Sequence, residues 1–199
     1  MNIPIALILF RLLLAPVILC LAYFVGDASK LIILILMYLG LISDIFDGII
    51  ARKQGISTEK LRRLDSQIDM IFWLSIAIST WILFPALIAE NSTALWSIIA
   101  MELSCYIISF LKFKKEASTH AFLSKIWGLS LVVAFTSLIG FNHAGIPFYI
   151  MLVLGLLSNI DVILISLILP KWTHDIPSFY HAYQIRKGKK IKRNKFLNG

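Results

Sequence analysis

The sequence predicts an all-α fold, a polytopic membrane protein with six transmembrane helices and both termini in the cytosol. The first reason is composition. Of the 199 residues 59% are hydrophobic and only 15% charged, with a mean hydropathy of +0.85, whereas soluble domains carry about 25% charged residues. The second is the run of apolar segments at 4–25, 31–51, 66–89, 93–112, 121–141 and 146–170, each near the ~20 residues that span a bilayer as a helix. The third is the alternation of charge between them. Gly26 to Lys30 is nearly neutral, Arg52 to Arg63 carries Arg52, Lys53, Lys60, Arg62 and Arg63, and Glu90 to Thr93 has no base. Lys112 to Lys125 has four lysines, Phe141 to Pro147 has no lysine or arginine, and the tail is strongly basic. Because basic connectors stay on the cytosolic side, this alternation fixes the orientation.

Taken in order, the first segment, Met1 to Tyr23, is short and apolar but lacks a small-residue cleavage site and carries Arg11 inside the apolar run, so it reads as a retained helix. Arg11 is costly against lipid, which leaves snorkelling to a headgroup, pairing with an acid, or a place on a cavity wall. The third segment begins at Asp65 and Asp69, and Pro85 is expected to bend its far end. Glu102 in the fourth segment and Asn159 and Asp161 in the sixth are polar groups at membrane depth, read as interhelical hydrogen bonding or cavity lining. Cys20 and Cys105 each lie in an apolar run and read as buried small hydrophobes. Residues 1–170 make one membrane domain and 171–199 a basic cytosolic tail. Within the tail, seven of the ten residues from Arg186 to Lys195 are basic. Although the net charge is +8, its confinement to connectors and tail points to topology and anionic lipid headgroups; no nucleic acid partner is expected.

The polar chemistry is concentrated in SDIFDGIIARKQGISTEKLRRLDSQIDM, residues 43–70. Asp44, Asp47, Gly48 and Ala51 recur at helical spacing and share about a third of a helix circumference. Asp65 and Asp69, four apart, share a face of the next helix, and a connector of a dozen or so residues can turn that face toward the first. Four converging carboxylates repel one another. Hard divalent cations relieve that repulsion, and such oxygen ligands suit Mg²⁺, Mn²⁺ or Ca²⁺.

The same string resembles the signature of the CDP-alcohol phosphatidyltransferases, D-x-x-D-G-x-x-A-R-x(8)-G-x-x-x-D-x-x-x-D. Seven of its eight fixed positions are met, by Asp44, Asp47, Gly48, Ala51, Arg52, Asp65 and Asp69, and the second glycine is replaced by Leu61. The opening MNIPIALILFRLLLAPVI is also similar to the start of several members. The resemblance implies displacement at phosphorus in phospholipid synthesis, with CDP-diacylglycerol or a related CDP-alcohol as donor, a hydroxyl compound as acceptor and CMP as leaving group. It further implies two Mg²⁺ or Mn²⁺ ions held by Asp44, Asp47, Asp65 and Asp69. On the same resemblance Asp69 would act in addition as general base. The resemblance also implies that the CDP-alcohol lies against Asp44, Asp47, Gly48, Ala51 and Arg52, where Gly48 and Ala51 would leave room and Arg52 would meet phosphate or hold a carboxylate. Family resemblance also implies a homodimer, with the site at the cytosolic face of a bacterial inner or plasma membrane.

Lys112, Lys115, His120 and Lys125 form a basic cluster that positive-inside topology explains, or that lines a pocket for an anionic acceptor. The acceptor stays open. LDSQID is like the Leu-Asp-Ser of inositol-type enzymes, while the start of the chain leans toward those using glycerol phosphate. Two other readings compete: a catalytically inactive, lipid-binding scaffold, kept open by Leu61, and a cation transporter whose acids line a path.

Overall fold

The computed structural model describes residues 3–56, 58–115, 121–174 and 176–189, and every regular element among them is helical. In chain order these are α1 Ile3–Cys20, α2 Lys30–Lys53, α3 Glu59–Leu83, α4 Pro85–Glu90, α5 Ser92–Phe113, α6 Phe122–Phe135, α7 Ile146–Ile168 and α8 Phe179–Arg186. Irregular helical turns at Leu21–Val25 and Gly26–Ser29 join α1 to α2, and a π-helical turn at Thr136–Gly140 extends α6. Among the described residues five helical runs are long and apolar enough to cross a membrane: Ile3–Lys53, Lys60–Leu83, Ser92–Phe113, Phe122–Gly140 and Ile146–Ile168. The sequence count of six divides the first of these, 51 residues long, into two.

That first run reverses on itself. Ser43 Oγ donates to the carbonyl of Leu7 at 2.9 Å, although a straight helix would hold residues this far apart in sequence ~54 Å from one another. The reversal falls at Gly26, whose φ of 64° is open to glycine and strained for other residues. Ser29 Oγ closes the turn on the Gly26 carbonyl at 2.6 Å, and Asp27 pairs with Lys30 at 3.1 Å.

The surface is inverted relative to a soluble protein. Leu13, Leu31, Trp81, Trp96, Leu111 and Leu167 are exposed, while Ser79, Thr80, Ser109, Ser158 and Asn159 are buried. Outward apolar faces match hydrocarbon; among the inward hydroxyls Thr80 Oγ1 closes on the Ile76 carbonyl at 2.8 Å. Cys105 is buried, with its thiol on the Asn159 carbonyl at 3.4 Å, whereas Cys20 is exposed, correcting the expectation of burial for both.

The chain forms two compact units, Met1–Glu90 with Ala134–Gly145, and Asn91–Val133 with Ile146–Gly199. In the first, α1, α2 and α3 pack together with the 134–145 segment, where Trp73 stacks on Phe135 and the Tyr38 hydroxyl bonds Thr136 at 2.8 Å. Pro85 opens α4 and does not merely bend α3, which ends at Leu83, because proline lacks the donor that would continue the helix and fits its first turn. α2 and α3 approach closely at Gly40. A Cβ there would lie 2.2 Å from Phe72 Cζ, and Phe72 is fully buried. Gly40→Ala gains about 1 kcal/mol of helix propensity but overpacks this contact, which costs about 1–3 kcal/mol. We therefore expect a lower Tm for Gly40→Ala in detergent. Gly48→Ala, whose Cβ would meet only the flexible Arg52 at 3.5 Å, should not lower it.

In the second unit α5 and α7 pack together, with Glu102 beside Asn159 at membrane depth. Ser124 of α6 bonds Ser158 of α7 at 2.9 Å. Lys112 donates to the carbonyls of Ser166 and Leu167 at 3.0 and 2.6 Å, satisfying the open end of α7. Beyond α7 the chain folds back so that Ile176 and Ala182 pack with Ala121, Ile165 and Leu169. Asp161 Oδ1 accepts from the Phe179 N–H at 2.9 Å and thereby caps α8 from the neighbouring helix.

Candidate active site

The acidic face is built by how α2 ends and α3 begins. Along α2 the buried residues are Ile33, Met37, Gly40, Ser43, Asp47 and Ala51, one stripe at helical spacing in which Asp47 takes a place otherwise held by packing residues. Asp44 is one residue around from Ser43. The helix stops in a Schellman arrangement: Ile56 N–H bonds the Ala51 carbonyl at 3.1 Å, Gly55 N–H bonds the Arg52 carbonyl at 3.2 Å, and Gly55 has φ 66°. Thr58 then caps α3 by accepting from the Leu61 N–H at 3.3 Å. Only residues 54–58 connect the two helices. The expected dozen-residue connector is shorter because Lys60, Arg62 and Arg63 belong to the first turns of α3.

This tight reversal brings Asp44, Asp47 and Asp65 together, with one carboxylate oxygen from each lying within 4.8 Å of the others. Asp69, one turn further along α3, stands outside that group of three. All four surround a single cation, the guanidinium of Arg11 from α1. Nη1 pairs with Asp44 and, at 2.8 Å, with Asp69; Nη2 pairs with Asp47 at 3.1 Å and with Asp65. Arg11 is 1% exposed and Asp47 3%, whereas Asp44, Asp65 and Asp69 are 37%, 22% and 31% exposed. The cluster is thus sealed from within and open on one side. Of the three options the sequence left for Arg11, pairing with acid is the one adopted; the readable signal was one buried-run arginine beside four acids on adjoining segments.

The other predicted residues are distributed as follows. Gly48 lies beneath the Arg52 guanidinium, which runs back along α2. Ala51 is buried, on the packed stripe and not on an open wall. Leu61 is half-buried in the first turn of α3, one turn before Asp65. In the second unit Lys112 is engaged with the end of α7, Lys115 lies over the Trp172 ring at 4.4 Å, and Lys125 is exposed on α6. His120 lies outside the described residues.

The donor set fits a divalent metal. Oxygens sharing one Mg²⁺ at about 2.1 Å lie up to ~4.2 Å apart, so a 4.8 Å cluster needs only small side-chain adjustments, and all-carboxylate ligation selects hard cations. A family model of the CDP-alcohol phosphatidyltransferases matches residues 1–167. The chain belongs to that family. Its chemistry is phosphatidyl transfer from a CDP-alcohol, typically with metal, and the match together with the apolar helices makes this an integral membrane protein of a transferase family. Neither a curated protein nor a solved structure matches it.

Proposed function

We propose that this protein transfers a phosphatidyl or related phosphoalcohol group from CDP-diacylglycerol or a similar CDP-alcohol to a hydroxyl acceptor, releasing CMP. The observation that carries this reading is the convergence of Asp44, Asp47, Asp65 and Asp69 from two adjacent helices. Asp44, Asp47 and Asp65 would hold Mg²⁺ or Mn²⁺, two ions in all, with Asp69 contributing. Bound there, the metal neutralises diphosphate charge and polarises the phosphorus under attack. Asp69, set one turn apart and partly exposed, takes the proton of the acceptor hydroxyl as its oxygen bonds to phosphorus. The bond from that phosphorus to the CMP oxygen breaks, and CMP departs with the electron pair. Arg52, free to lift from Gly48, meets donor phosphate. Leu61, one turn before Asp65, bears on which donor head group is accepted.

In the same reading α1 and α2 are separate crossings, giving six spans, because the hairpin at Gly26 leaves two limbs each near ~20 residues. Basic connectors set both termini and the aspartates on the cytosolic side, where nucleotides are. Residues 1–170 form the catalytic membrane unit, as a homodimer in a bacterial inner membrane, and 171–199 the tail on anionic lipid. Lys112, Lys115, His120 and Lys125 are proposed to favour an anionic acceptor, Lys112 by its charge near the end of α7.

The test is CMP release from CDP-diacylglycerol by the purified protein against glycerol 3-phosphate, inositol, inositol phosphate, serine, phosphatidylglycerol and choline. We expect turnover with one acceptor class, its loss in EDTA and its return with Mg²⁺ or Mn²⁺. Full activity in excess EDTA sinks the metal assignment. No release with any acceptor or metal favours the inactive scaffold.

A further inference from the structure

We propose that Arg11 is a built-in counter-cation which competes with divalent metal for the aspartate cluster, so that metal loading turns its guanidinium off the carboxylates. The inference rests on the reading of this cluster as a metal centre. Its basis is the way one side chain is used. Nη1 and Nη2 divide four carboxylates between them, yet Arg11 Nε is buried with no hydrogen-bond partner. Of the five N–H donors a guanidinium carries, the one on Nε is thus unused. Arg11 sets one positive charge directly among four carboxylates, with Arg52 and Arg62 also acting on Asp47 and Asp65, a balance that holds the helices together.

Geometry favours competition over joint occupancy. Asp47 is 3% exposed and its carboxylate is bonded to Arg11 at 3.1 Å, so an ion shared by Asp44, Asp47 and Asp65 has to enter the space next to the guanidinium. At such range, in a cluster open on one side only, a divalent ion and an arginine repel strongly. Asp44, Asp65 and Asp69 retain exposed edges, which gives ions a route into the cluster. Arg11 then has two tasks: it keeps the acid cluster folded before metal arrives, and it sets the concentration at which metal binds.

The experiment is Mn²⁺ titration of the full chain in detergent, read by the loss of the free-ion EPR signal, for the wild type, Arg11→Gln and Arg11→Lys. Each variant is purified with Mn²⁺ present and then stripped. Competition predicts Mn²⁺ binding at least about tenfold tighter in Arg11→Gln, with Arg11→Lys between it and the wild type. It also predicts a lower Tm for stripped Arg11→Gln and a larger rise in Tm on adding Mn²⁺ than the wild type shows. Should stripped Arg11→Gln not stay folded, the wild type supplies the answer: the Arg11 Nε–H resonance in ¹⁵N-arginine-labelled protein, assigned by its loss in Arg11→Lys, should shift on saturation with Mg²⁺. Equal or weaker Mn²⁺ binding by Arg11→Gln, or an Arg11 resonance unmoved at Mg²⁺ saturation, overturns the proposal and leaves the metal centre standing. A wild type that binds no Mn²⁺ overturns both.

Discussion

Asparagine in place of Asp44 is expected to lower CMP release by well over a hundredfold and to weaken donor binding by a comparable factor. Groups that only orient metal ligands are worth about 10–100-fold in metal affinity or activity, and Asp44 is proposed as a ligand itself. Its carboxylate belongs to the three-oxygen group within 4.8 Å and is the most exposed of the four acids, so it is open to the proposed donor diphosphate. If, as proposed, that diphosphate is held through the metal, losing the ligand damages ground-state binding and turnover together. The substitution is isosteric and removes one of four crowded negative charges. A Tm within a few degrees of the wild type is therefore expected, and separates a lost ligand from a lost fold. Donor affinity by titration with Mg²⁺ present, alongside CMP release at saturating acceptor, checks the result. Normal donor affinity would remove Asp44 from the metal centre.

How much of this was legible in the sequence depends on which physical signal each feature leaves. Helix class and membrane setting follow from hydrophobic length, which is local, and the structure retains both. The pairing of Asp44 and Asp47 with Asp65 and Asp69 was legible because helical spacing fixes which residues share a face. The shortness of the connector was not. Lys60, Arg62 and Arg63 look like loop residues by charge, yet Gly55 and Thr58 carry the stop and start signals that place them in α3. Pro85 was recognised as a disruption, but whether a proline bends a helix or opens a new one is decided by the preceding residue, and Phe84 leaves the helical region. Arg11 stayed ambiguous for a different reason: its partners lie 33 to 58 positions away, and no local pattern reports a contact of that span. Lys112 likewise read as topology or pocket, while its actual bonds are to carbonyls of α7.

Asp69→Asn is expected to behave differently from Asp44→Asn, lowering kcat by about 10²–10⁴-fold, the usual contribution of a positioned general base, while leaving donor affinity within a few-fold of normal. Two features of its position motivate the contrast. Asp69 lies outside the group formed by Asp44, Asp47 and Asp65, and its 31% exposure leaves an oxygen accessible to an incoming hydroxyl. A base that accepts the acceptor proton is needed only as the new oxygen–phosphorus bond develops, so its loss lowers kcat and kcat/KM for the acceptor without disturbing the ground-state hold on the CDP-alcohol. Asparagine keeps the shape, and its amide oxygen can still accept from Arg11, so the α1–α3 contact has no reason to fail. The comparison uses the same titration and the same CMP-release assay for both variants, in one detergent and at one Mg²⁺ concentration. If Asp69→Asn keeps near-normal turnover, the proton goes elsewhere. If it loses donor binding as completely as Asp44→Asn, Asp69 is a fourth ligand and the acceptor hydroxyl must be activated by another group.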